Sequence, residues 1–181
     1  MTNEMFRVET KKVAKQAGGL GEFMMMECQS GKLLITGQFV LSLSEDQFFS
    51  VRCKLEVPRL DTWYMQTKDG LVMSERSPGL EEWEARYNEW INEADSRKML
   101  TYTRIEISGC YLYTDGFSYT AIKKERLEML QSTECIARAG KMLVVDGVHV
   151  LAPIKEDVWK NNDWLHRLPG MEIEREAYEE K

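Results

Sequence analysis

The sequence predicts an α+β fold, mainly antiparallel, in which β-hairpins stack into one or two sheets and one long amphipathic helix packs on a face. Two observations predict it. Asp-Gly pairs at Asp69-Gly70, Asp115-Gly116 and Asp146-Gly147 each sit between runs rich in aromatic or β-branched residues. Between the first and second of these pairs, apolar residues recur at spacings of three and four.

The elements follow in chain order. A short helix is expected over residues 10–16. Residues 23–28 and 33–43 form a first strand pair, turning at Gln29-Ser30-Gly31-Lys32. A second short helix covers 45–51. The Asp-Gly hairpins then pair 63–67 with 71–74, 111–114 with 117–122, and 142–145 with 148–151. A two-residue type I′ turn requires positive φ at both central residues, which Asp and Gly tolerate. A further short helix spans 124–130.

The best helix is residues 80–95. Leu80, Trp83, Tyr87, Trp90, Ile91 and Ala94 share one stripe. Ser77 is placed as its N-cap, with Pro78 at the first helical position. Glu81 and Glu82 oppose the positive end of the dipole, and Arg97 and Lys98 lie near the negative end.

Three stretches also resemble one another: GKLLITGQFVLSL from Gly31, GCYLYTDGFSYTAI from Gly109 and GKMLVVDGVHVLAPI from Gly140. Aligned, Leu34 matches Leu112, Thr36 matches Thr114 and Phe39 matches Phe117. Duplicated β units are one explanation, and a generic glycine turn before alternating apolar residues is the other. Residues 1–170 are expected to form one domain, with 75–79 as the boundary if there are two halves. Residues 171–181, with five glutamates, read as an acidic tail.

Composition narrows the function classes. The chain has 181 residues, 24 Lys+Arg against 30 Asp+Glu, a net charge of −6 and 43% hydrophobic residues. Disordered and fibrous classes do not fit. No run approaches the roughly 18 apolar residues of a membrane span, and the first residues lack a signal-peptide core, so a soluble cytoplasmic protein without membrane contact is expected. Acidic balance argues against generic nucleic-acid affinity, though local basic clusters at Lys11, Lys12 and Lys15 and at Lys123, Lys124 and Arg126 leave phosphate contact open.

No catalytic constellation is legible. His149 and His166 are the only histidines, and Cys28, Cys53, Cys110 and Cys135 are far apart without a CxxC pair. Reduced, buried thiols are expected rather than a disulfide framework, a metal site or a nucleophile. Gly18-Gly19-Leu20-Gly21 lacks the dinucleotide-binding spacing and reads as a loop. Asp115 and Asp146 have a turn role already, while Asp157 and Asp163 lack the pattern of a Mg²⁺ site. No cofactor and no metal are implied.

Some residues resemble a known family. Tyr113-Thr114-Asp115-Gly116-Phe117, after a strand led by Gly109, is similar to the Thr-Asp-Gly-aromatic segment of bacterial DNA sliding clamps. Gly31-Lys32-Leu33 resembles the strand entry of a clamp domain, residues 144–155 its terminal strand, and residues 5–16 its strand-then-helix opening. The resemblance covers about a third of the chain in short pieces. It implies antiparallel sheets backed by helices, self-association into a ring, no enzymatic activity and a cleft for partner peptides. The chain departs from the family in length, in the acidity of its clearest helix, and at Ser118 and Tyr119, where the family has Arg after the aromatic.

The expected function is a non-catalytic binding or assembly protein that engages a protein partner through sheet edges or the tryptophan-bearing helix, in a DNA-replication or mobile-element setting. The candidate partner-binding residues are Trp83, Tyr87 and Trp90 with Glu81, Glu82 and Glu84, although the two tryptophans read most simply as core anchors against a sheet. Two alternatives stand beside it: an acidic DNA mimic that inhibits a nucleic-acid enzyme, and a small hydrolase or nuclease assembled from distant Asp, Cys and His residues. Oligomeric state is left open.

Overall fold

The computed structural model describes residues 8–94, 99–131 and 133–155. The acidic tail, the 170 boundary, His166, Asp157, Asp163, and the expected helix end at residue 95 with Arg97 and Lys98 lie outside the described residues. Within them the elements run α1 (Thr10–Gly19), β1 (Glu22–Cys28), β2 (Gly31–Thr36), β3 (Phe39–Leu43), α2 (Glu45–Leu55), β4 (Trp63–Thr67), β5 (Gly70–Met73), α3 (Leu80–Glu93), β6 (Thr101–Ile107), β7 (Cys110–Thr114), β8 (Tyr119–Lys123), α4 (Lys124–Leu127), β9 (Ile136–Ala139), β10 (Met142–Val145) and β11 (His149–Leu151). The fold is α+β with antiparallel hairpin sheets. Eight strands order as β5-β4-β1-β2-β3-β11-β10-β9, and three form a second sheet, β6-β7-β8.

The large sheet is buried on both faces, which explains why Phe23, Met24, Met25 and Met26 are all apolar instead of alternating with polar residues. Phe23, Met25, Leu34, Leu41 and Leu143 point to one face, where α1 contributes Val13 and Ala17 and α2 contributes Phe48, Val51 and Leu55. Met24, Met26, Leu33, Ile35 and Val144 point to the other, which α3 covers. Period-two alternation along each strand feeds two cores at once. Tyr111, Tyr113 and Ile122 bring one face of the small sheet onto the α1–α2 core.

Several expectations are corrected. Among the described residues there are four helices, and α3, though the longest, is joined by α1 and α2 of similar length in covering the large sheet. α2 is set by a reciprocal capping box between Ser44 and Gln47 and ends at Glu56 with φ 56°. α3 begins at Leu80, two residues past Pro78: Gly79, at φ 59°, is its N-cap, and neither Ser77 nor Pro78 enters the helix. The Pro78 carbonyl instead accepts the Trp63 indole N–H at 3.3 Å. The expected strand 33–43 is two strands, because the Thr36 hydroxyl accepts from the amides of Gln38 and Phe39 and folds the chain back at Gly37. Strands β6 and β9 were not expected.

The three Asp-Gly pairs use three different turns. At the third pair Val145 faces His149 across a three-residue loop, in which Asp146 (φ 53°) and Gly147 (φ 72°) take the left-handed region and the Val148 amide donates to the Val145 carbonyl, so the expected two-residue loop is one residue longer. At the first pair the turn residues are Lys68 and Asp69, with Thr67 facing Gly70. At the second, Thr114 faces Tyr119 across a four-residue loop. Each of the three similar stretches supplies the last two strands of a three-stranded meander, β1–β3, β6–β8 and β9–β11, and β3 pairs antiparallel with β11 where the first and third meet.

Candidate functional site

The aromatic stripe of α3 faces the sheet. Tyr87 is 6% exposed, and its hydroxyl donates to the Val148 carbonyl at 2.8 Å. Trp83 and Trp90 are half-buried against the same core, with the Trp83 ring 5.7 Å from that of Trp63. The Arg76 guanidinium lies 4.2 Å from the Trp63 ring centre, and Arg86 lies 5.7 Å from that of Trp83, so cations close the outer side of the pair. Glu84 also turns inward: the Ser30 amide and hydroxyl lie 2.9 Å from its carboxylate, and these contacts hold its pKa below the ordinary value. Glu82 pairs with Arg86, while Glu81 stays exposed. The six candidate residues thus divide between core packing and a solvent-facing acidic surface.

The sheet edges differ from one another. An edge strand presents unpaired N–H and C=O groups, and folded proteins blunt it with charge, proline, a bulge or a covering segment. The β9 edge is covered by residues 99–100: Met99 bridges Ala137, and the Leu100 amide donates to the Ile136 carbonyl at 2.8 Å. The β8 edge is met by Ile154, whose amide donates to Ala121 at 2.8 Å. On the β6 edge a bulge between Tyr102 and Ile105, with Arg104 at φ 66°, breaks the ladder. Among the described residues β5 has none of these devices.

The geometry of β5 follows from its register. Met65 faces Val72 and Tyr64 faces Met73 across β4. The Ser74 amide donates to the Trp63 carbonyl at 2.8 Å. Because hydrogen-bonded pairs alternate in an antiparallel ladder, Val72 also directs its backbone groups to β4, while Leu71 and Met73 direct theirs outward. Around this edge Val72 is 48%, Met73 61% and Met65 43% exposed. Alternation with Trp63 and Tyr64 places Met65 and Val72 on the α3 side and Leu71 and Met73 on the α1–α2 side.

On that second side, beside β4, lies a groove of about 680 Å³ lined by Lys11, Ala14 and Lys15 of α1, Lys54 and Leu55 of α2, Glu56, and Gln66 of β4. Gln66 faces Leu71 of β5. Two of these lysines belong to the basic cluster noted in the sequence, and Lys54 joins them only through the packing of α1 on α2, where the Ser50 hydroxyl donates to Thr10 at 3.3 Å. The Lys123–Arg126 cluster has a different fate. Arg126 is 4% exposed, donates to the Ala152 carbonyl and to Gln38 at 2.7 Å, and pins α4 to the β2–β3 turn.

The thiols are not uniformly buried: Cys110 is buried, Cys28 and Cys135 are half-buried, and Cys53 is exposed. Burial pushes the Cys28 and Cys110 thiols up, which disfavours the nucleophilic thiolate. His149 is 2% exposed in β11, and burial pulls its pKa down to about 4. Among the described residues no three His, Cys, Asp or Glu side chains gather around a metal-sized site. No described helix is long and apolar enough to cross a membrane.

Sequence inspection missed Val72, Met73 and Met65. Their signal was the run Leu71-Val72-Met73, apolar at successive positions beside a polar turn, but only the strand order shows that it lies at an edge. No protein-family model matches the chain, and no curated protein and no solved structure does either. The residues similar to sliding clamps fall on the end of β7 and the β7–β8 loop, the start of β2, the β10–β11 hairpin with the residues after it, and α1 with the residues before it, of which 5–7 lie outside the described residues.

Proposed function

We propose that this chain is a non-catalytic protein-binding module that takes an extended segment of a partner as an added strand on β5. The observation that carries the reading is the contrast among edges: three of the four are blunted by a covering segment or a bulge, and β5 offers outward backbone groups at Leu71 and Met73 beside exposed Val72 and Met65. In strand addition the main-chain ladder supplies affinity and alternating side chains supply specificity. The inward aromatics of α3 belong to the scaffold in this reading, since they fix the sheet on which β5 sits.

Fluorescence polarisation with a panel of labelled seven-residue extended peptides tests it. Met73→Pro removes an outward N–H and leaves the β4 ladder intact. Binding is expected to weaken at least about tenfold in that variant. Unchanged affinity, or affinity lost instead on Glu81→Lys in α3, overturns the reading.

A further inference from the structure

We infer that the segment received by β5 is an acidic peptide of alternating pattern, with a carboxylate on the side chain opposite Leu71 and an apolar side chain opposite Val72. This rests on the edge-strand reading and adds the chemistry of the partner. Residues directly opposite in a ladder share a face of the sheet. A partner residue opposite Leu71 therefore projects toward α1 and α2, and one opposite Val72 projects toward α3.

The two faces beside β5 differ in chemistry. On the α1–α2 side the groove gathers Lys11, Lys15 and Lys54 against one acid, Glu56, in a molecule of net charge −6. Adjacent strands lie about 4.8 Å apart, so an added strand sits about 10 Å from Gln66 at the groove wall, within the combined reach of a glutamate and a lysine side chain. On the α3 side the exposed side chains of Val72 and Met65 lie together, with the Arg76–Glu22 ion pair beyond Met65 against Trp63. A positive groove on one side and an apolar pair on the other match a strand that alternates acidic and apolar residues. Opposite charges also accelerate encounter, so binding of such a segment depends on salt.

Three capped heptapeptides test the inference, alternating valine with glutamate, glutamine or lysine, alongside a ten-residue oligothymidine as a phosphate probe. Wild type, Lys15→Glu/Lys54→Glu, Lys15→Gln and Met73→Pro are compared at low salt, with circular dichroism as the check on folding. The glutamate peptide is expected to bind at least about tenfold tighter than the glutamine peptide. The charge-reversed double variant is expected to erase that preference while leaving the glutamine peptide unaffected, and Lys15→Gln to reduce it. Met73→Pro is expected to weaken both.

An unchanged preference in the charge-reversed protein, or a preference for the lysine peptide, overturns the acidic assignment; the edge reading then survives if Met73→Pro still weakens binding. Indifference of every peptide to Met73→Pro, or no binding by any of them, overturns the edge reading and this inference together. Oligothymidine binding that exceeds the glutamate peptide and vanishes on charge reversal overturns the peptide assignment in favour of a nucleic-acid phosphate ligand.

Discussion

Burial of the His149 imidazole in β11 holds its pKa at about 4, against about 6.5 in an unfolded chain. Between those values the unfolded chain binds a proton that the folded one refuses. Stability from this group is therefore complete above about pH 6.5 and falls as pH drops toward 4, by about 3 kcal/mol in total. Urea titrations at pH 7.5 and pH 5 are expected to show about 2 kcal/mol of that loss in wild type and a smaller one in His149→Gln; equal losses would contradict it. Asp115 works in the opposite chemical sense. Burial alone would raise its pKa, but the amides of Phe117 and Ser118, the Ser118 hydroxyl and Arg138 outweigh it and hold the carboxyl at about 2. Asp115→Ala is expected to cost about 2 kcal/mol, seen as a lower Tm, because these donors lose a charged acceptor. The sequence made this turn role legible at Asp115, yet the Arg138 partner, 23 residues away, was not.

β5 and α3 allow sharper contrasts. Val72 directs its N–H to β4, whereas Met73 directs its own outward, so Val72→Pro is expected to destabilise by about 3 kcal/mol and Met73→Pro by less than about 1. Chemical denaturation of the two variants measures this, and equal costs would refute the assigned register. In α3, Trp83→Ala is expected to cost about 3 kcal/mol by removing the contact with Trp63, while Glu81→Gln stays within about 0.5. The stripe of α3 was readable because a 3.6-residue period survives in sequence. Its start was not, since the turn into the helix depends on Gly79 taking φ 59° while the Pro78 carbonyl is held by Trp63. The same limit applies to Thr36, whose hydroxyl breaks an apparently continuous strand.

For the whole molecule, the fold class and most hairpins were legible because neighbours in sequence make them. The order of the large sheet was not. Its central joint pairs Val40 with Val150 and Phe39 with Leu151, more than a hundred residues apart, and only that joint turns the first and third meanders into one sheet. Burial on both faces follows from the same joint, and so does the position of β5 at the far end. The proposed function therefore rests on a property that no local pattern encodes: which edge is left open, and which charged groove lies beside it. Lys54 shows this directly, since it meets Lys11 and Lys15 only after α1 packs on α2. The most direct test is amide hydrogen exchange of the full chain with and without the alternating valine-glutamate peptide. The account predicts new protection centred on the outward amides of Leu71 and Met73; protection on the outer face of α3, with β5 unchanged, would contradict it.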